Sequence, residues 1–210
     1  MEYLNYLKSG YYVFIDRSSD FLNYYLSNND VSNENININN GDGDNKNYKK
    51  RIFTPLSKFD QIQIFFSEPS HIIDNIYLGS AFNASHYNTL VDKNIGFIVN
   101  MTHEISNYYE NEILYKKYPL YDNNRESIKQ YFEDVYDKIL LYQESNENKN
   151  ILIHCFMGAS RSASIVLYYL MKKHNMSLND SIIFLKNKRE IINPTVLFYN
   201  ELCELEQQNT

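Results

Sequence analysis

The stretch "ILIHCFMGASRSASIVLYYL" sets a thiol and a guanidinium close together between two apolar runs. The thiol is Cys155, at the end of the first run, and the guanidinium is Arg161, at the start of the second. A thiolate is a strong nucleophile, and a guanidinium is a planar fork of donors that matches two phosphate oxygens. Gly158 lies between them. A glycine takes positive φ without strain and lets backbone N–H groups close around an oxyanion. If the second run is a helix, its free N–H groups and its dipole point back at the loop and favour a bound phosphate. Such a field also lowers a thiol pKa from ~8.5 into the range ~3.5–7.5. One loop would then bind a phosphate and prepare the nucleophile that attacks it.

The flanking elements must place that loop. "ILIHC" reads as a short central strand, and "SASIVLYYLMKKH" as a helix that is apolar almost all round and so buried. Ligands in such α/β sheets bind outside the carboxyl ends of the strands, where Cys155 falls. Further strands are expected over residues 61–66, 71–79, 95–101 and 112–120, the last closed by Pro119. Residues 83–94 read as a short helix. Ile128, Phe132, Val135, Ile139 and Leu140 mark an amphipathic helix over 126–142. Ser177 followed by Asp180 opens another, and Thr195 caps a last one. The expected fold is α/β, a mostly parallel central sheet flanked by helices over residues 68–207. An N-terminal extension, 1–67, precedes it. Within it an Asn-rich linker, at about 27–50, has too few apolar residues to offset the entropy of ordering. The Tyr-, Leu- and Phe-rich residues 3–26 before it read as a short element that docks on the main domain.

The pattern His-Cys-x5-Arg-Ser in "HCFMGASRS" resembles the signature of the cysteine-dependent phosphatases, and its Ser-Arg-Ser ending resembles the dual-specificity subfamily. "NIYLGSAFNAS", "GFIVNMTHE" with its buried Asn100, and "YYLMKKHNMSLNDSIIFLKNKREIINP" are similar to further stretches of that family, in the same order. The resemblance implies that Cys155 attacks phosphorus and carries a phosphocysteine intermediate. Arg161 would clamp the phosphate, His154 would orient the loop and favour the thiolate, and Ser162 would help the sulfur leave. Phe156, Met157, Gly158, Ala159, Ser160 and Arg161 would form the phosphate-binding loop. "YPLYDNNRESIKQYF" is similar to the family's acid loop and puts Asp122 at the general acid's place. No metal or organic cofactor is implied. The loop is apolar where inositol-lipid phosphatases of the superfamily carry lysines, which favours phosphoprotein substrates. The turn Asn193-Pro194-Thr195 departs from the subfamily's Ser-Pro-Asn, so the loop support made by that Asn is in question. "KKRIFTPL", with Lys49, Lys50 and Arg51, weakly resembles segments by which phosphatases dock on MAP kinases.

The bulk properties fit this reading. The 210 residues carry a formal net charge of −6, which gives no field for nucleic acid. No stretch is long and apolar enough for a membrane span, and the N-terminus lacks the cationic start of a secretory leader. Two cysteines, Cys155 and Cys203, make neither a disulfide scaffold nor a zinc site, so a reducing cytoplasmic or nuclear compartment is expected. Ser160 also reads as a helix cap, Cys203 as a packing residue, and Asp134 and Asp137 as a solvated helix face. The competing functions are a phosphoresidue-binding module with little turnover, a sulfur-transfer enzyme and an RNA 5′-phosphatase. The presence of both Cys155 and Asp122 favours the phosphoprotein phosphatase.

Overall fold

A computed structural model describes residues 56–145 and 148–208. The Asn-rich stretch, the aromatic segment before it and the basic run at 49–51 lie outside the described residues. The compact unit that holds the sheet runs from Pro55 to Thr210, starting ahead of the boundary read at 68.

Five strands form one sheet: β1 (Ser70–Ile73), β2 (Ile76–Gly79), β3 (Ile95–Asn100), β4 (Leu114–Lys117) and β5 (Asn150–His154). Their spatial order is β1-β2-β5-β3-β4. β1 pairs with β2 antiparallel, and every other pairing is parallel. β5 is therefore central, with Ile151, Leu152 and Ile153 wholly buried, as its unbroken apolar run requires. Seven helices accompany the sheet among the described residues. They are α1 (Lys58–Phe66), α2 (Ala81–Ser85), α3 (Tyr87–Asp92), α4 (Lys129–Ser145), α5 (Arg161–His174), α6 (Leu178–Lys188) and α7 (Val196–Gln208). α5 is buried from Arg161 through Leu170 and packs against α4, α6 and α7. No helix among the described residues is long and apolar enough to cross a membrane.

Three expectations change. Gln61–Phe66 alternates like a strand but is the body of α1. Ser57 caps that helix, accepting from the Asp60 N–H at 3.2 Å, and buried Phe65 anchors it. A capping signal plus tertiary burial outweighs a short alternation. The strand read over 71–79 is a hairpin, β1 and β2, because Asp74 adopts φ 50° and turns the chain at Asp74-Asn75. The helix read over 83–94 is two short ones, the first opened by a capping box between Ser80 and Asn83.

α1 matters to the loop that follows β5. The Phe65 ring lies 5.2 Å from that of Phe156 and 6.2 Å from that of Phe82. Ser80 Oγ donates to the Phe65 carbonyl at 2.7 Å, and Asn83 Nδ2 to that of Ser67 at 2.7 Å. Phe65→Ala removes a ring that is 2 % exposed. It is expected to lower the unfolding free energy by about 3–5 kcal/mol in urea titrations. Phe59→Ala, at a ring 67 % exposed on the same helix, should change it by less than about 0.5 kcal/mol.

Candidate active site

The backbone after β5 leaves the sheet at Cys155 and enters α5 at Arg161. Between them the chain turns through Gly158 at φ 69°. A side chain there would be strained by that φ and would collide with the Gly79 carbonyl of β2. The turn directs the loop's carbonyls outward, and each finds a donor. His154 Nδ1 donates to the Cys155 carbonyl at 3.1 Å, and the Ala81 N–H to that of Phe156 at 2.9 Å. Arg189 donates twice, from Nη2 to Met157 at 2.9 Å and from Nε to Gly158 at 3.0 Å. The Asn193 N–H donates to Ala159 at 2.8 Å. Ser164 donates its N–H and its hydroxyl to Ser160, each at 2.9 Å. Among the described residues the N–H groups of Met157, Ala159 and Ser160 donate to no protein acceptor. With the carbonyls held outside, these N–H groups are left for an anion.

The sulfur sits at the floor of this loop, 1 % exposed. It accepts from the Gly158 N–H and from the Ser162 hydroxyl, both at 3.2 Å. His154 is buried, and burial pulls its imidazole down to about 4, so it is neutral near pH 7. It therefore orients the loop through the Cys155 carbonyl and supplies no cation to the sulfur.

Arg161 is buried at the start of α5. Glu104 meets it end-on, Oε1 at 2.8 Å from Nη2 and Oε2 accepting from Nη1 at 3.0 Å. Nη1 also donates to the Leu120 carbonyl at 3.0 Å. Burial alone would lower this guanidinium, but the Cys155 sulfur, Glu104 and Asp122 outweigh it and hold the cation above its usual value. Its Nε is buried and makes no hydrogen bond, with Asp122 Oδ2 at 3.7 Å. That N–H is therefore spent on no acceptor.

Asp122 reaches the loop from the segment between β4 and α4. Its Oδ1 accepts from Ser160 Oγ at 2.9 Å. The side chain keeps 32 % of its accessible area, yet its carboxylate faces the protein. Burial raises this carboxyl above the usual carboxylate range, against the pull of Arg161 and Ser160. A carboxyl so placed can hold a proton for a leaving group. Ser160 stands at the N-cap of α5, as one reading of its position expects, but its side chain makes no capping bond. Its hydroxyl is spent on Asp122 and accepts the Thr195 N–H at 3.3 Å. The turn Asn193-Pro194-Thr195 thus supports the loop through main-chain N–H groups.

The structure brings together every residue expected at the site and adds two that the sequence reading passed over. Arg189 stood in the basic run "KNKRE", where a charge at a helix end reads as solvated. Glu104 stood in a quoted stretch with nothing to single it out. Asn100, wholly buried at the end of β3, shapes the loop that carries Glu104. Its Nδ2 donates to the Ile105 carbonyl at 2.9 Å and to Asn107 at 3.0 Å, and its Oδ1 accepts from the Thr102 hydroxyl at 2.7 Å. Asp134, expected on a solvated face, accepts the Tyr118 hydroxyl at 2.7 Å. Cys203 is partly buried on α7 and forms no disulfide.

A family model for the catalytic domain of dual specificity phosphatases matches residues 76–208. The chain belongs to the dual-specificity phosphatase family. A Dictyostelium discoideum relative, a probable rhodanese domain-containing dual specificity protein phosphatase, is 37 % identical over 143 residues, 68 % of this chain and 30 % of that protein. Human dual specificity protein phosphatase 1 is 33 % identical over 140 residues, 67 % of this chain and 38 % of that protein. The aligned region is thus well under half of either relative. The crystal structure of DUSP15 superposes with a TM-score of 0.63 at 26 % identity, covering 67 % of this chain and 88 % of that one. α1 and β1 precede the stretch that the dual-specificity phosphatase model matches, yet α1 packs on the loop after β5.

Arg189→Met leaves the Met157 and Gly158 carbonyls buried without donors. At about 1–3 kcal/mol for each unsatisfied group, the domain should lose roughly 2–6 kcal/mol in chemical denaturation. Arg189→Lys, which can satisfy one of the two, should lose less.

Proposed function

We propose that this chain is a protein phosphatase that hydrolyses phosphotyrosine and phosphoserine or phosphothreonine through a phosphocysteine intermediate. The observation that carries this reading is the thiol of Cys155 under a ring of N–H groups whose carbonyls are all fixed outward. A phosphate monoester would place its oxygens on the N–H groups of Met157, Ala159 and Ser160 and on the Nε–H of Arg161. Positioning and fixed donors are the main sources of catalysis in phosphoryl transfer.

In the first step the Cys155 sulfur forms a bond to phosphorus as the ester P–O bond breaks. Asp122 gives its proton to the departing oxygen. In the second step water attacks the phosphorus of the phosphocysteine, and Asp122 takes up the water's proton. The S–P bond breaks, inorganic phosphate leaves, and Cys155 returns as thiolate, steadied by the Ser162 hydroxyl. No step draws on a metal or an organic cofactor. The loop positions Phe156, Met157 and Ala159 carry no cation for the extra phosphates of an inositol lipid, which supports phosphoproteins as the substrate class.

Turnover of p-nitrophenyl phosphate, measured in chelator and reductant, should fall to background in Cys155→Ser. Turnover that persists in that variant, or a folded wild type that binds phosphopeptide without turnover, would defeat the proposal.

Asp122→Asn should lower kcat/KM for phenyl phosphate by about 10²- to 10⁴-fold. The loss should be much smaller for p-nitrophenyl phosphate, whose leaving group departs without a proton. The acid works while protonated, and burial raises its carboxyl. Wild-type kcat for phenyl phosphate should therefore decline as pH rises through that raised value, and this limb should vanish in Asp122→Asn.

A further inference from the structure

Resting on the reading of Asp122 as general acid, we propose that His103 is a positioning residue for that acid: its ring, stacked on Tyr121, holds the acid loop over the phosphate-binding loop.

The acid loop spans residues 118–128 and is fastened at both ends. Leu120 and Ile128 are wholly buried, and the Ile128 N–H donates to Glu201 of α7 at 3.0 Å. The stretch 121–125 between these anchors is exposed. Two of its hydrogen bonds are internal to the loop, Tyr121 N–H to Glu126 at 2.9 Å and Arg125 N–H to Asn123 at 3.1 Å. They shape the loop without tying it to the domain. Asn124 accepts from the Leu197 N–H only at 3.5 Å, the long limit of such a bond. Asp122 itself touches Ser160 and approaches Arg161, but it must leave that position to serve a leaving group. A catalytic carboxyl cannot be its own anchor.

Two contacts lie beside it among the described residues: Arg161 Nη1 holds the Leu120 carbonyl at 3.0 Å, and the Tyr121 ring lies on the His103 ring. Their centroids lie 4.4 Å apart with 24° between the planes, a stacked pair. The partner is well held. His103 sits between Thr102 and Glu104, on the loop that Asn100 ties at Thr102, Ile105 and Asn107. Lys117 Nζ adds a bond to the Ile105 carbonyl at 2.6 Å. Glu104, the next residue, grips Arg161. Two consecutive residues of this loop therefore set the phosphate clamp and the acid in register. Among the described residues no hydrogen bond or ion pair joins His103 to Cys155, Arg161 or Asp122, and its ring stacks on Tyr121, so its effect must pass through Tyr121.

The test compares kcat/KM of the full chain on phenyl phosphate and p-nitrophenyl phosphate, which differ in their need for a proton. His103→Ala should lose roughly two- to tenfold more on phenyl phosphate than on p-nitrophenyl phosphate, the scale of one aromatic stack. Tyr121→Ala should show the same split, and the double variant no further one. His103→Phe, which keeps the ring, should restore phenyl phosphate turnover. Equal losses on the two substrates, or no rescue by Phe, would overturn the proposal. Asp122→Asn run alongside separates the two readings. If it shows the split and His103→Ala does not, the stack alone is wrong. If it shows no split, the general-acid reading falls and takes this proposal with it.

Discussion

A loop that binds an anion with its N–H groups must send its carbonyls elsewhere, and buried carbonyls need donors. Much of this domain can be understood as meeting that demand. The six carbonyls from Cys155 to Ser160 are satisfied by His154 beside the loop, Ala81 on α2, Arg189 and Asn193 on or after α6, and Ser164 on α5. Gly158 supplies the φ of 69° that no bulkier residue takes as cheaply. The parallel sheet brings β2 and β5 side by side, so that Gly79 and His154 are register partners and α2 begins next to the loop.

Two guanidiniums divide the electrostatic labour. Arg161 is matched by Glu104 and lies near Asp122, so its orientation is set by carboxylates while its Nε–H is spent on no acceptor. Arg189 bonds to loop carbonyls instead, and the Cys155 sulfur is the one ionisable group that acts on it appreciably. Burial pulls it down to about 10, which still leaves it charged near pH 7. One cation is thus arranged toward a ligand and the other toward the loop's own backbone.

The parts of the fold that were legible in the sequence are those where period and burial agree. The apolar run of β5, the all-round apolar α5 and the capped α6 all occur where their patterns place them. α1 misled because Gln61-Ile62-Gln63-Ile64 alternates by chance, while its docking rests on distant partners, Phe82 and Phe156 against Phe65, and Ser80 and Asn83 on carbonyls at its end. The site divides in the same way. Cys155, Gly158, Arg161 and Ser162 are contiguous, so their spacing alone carries the chemistry. Asp122 needed the resemblance of a second segment. Glu104, Arg189 and His103 act through contacts 57, 31 and 18 positions away in the chain, from Glu104 to Arg161, Gly158 to Arg189 and His103 to Tyr121. A lone charge or ring carries no local pattern that announces such a partner.

The reach of Arg189 back to Met157 and Gly158, 32 and 31 positions earlier, also orders events during synthesis. Cys155 leaves the ribosome well before the residues that brace its loop. Until Arg189 and Asn193 have emerged, the Met157, Gly158 and Ala159 carbonyls lack their donors, and nothing holds them away from the anion's place. The nascent chain therefore carries this thiol on an unfinished loop. The loop is completed only when α6 and the turn after it have emerged and folded back onto the sheet.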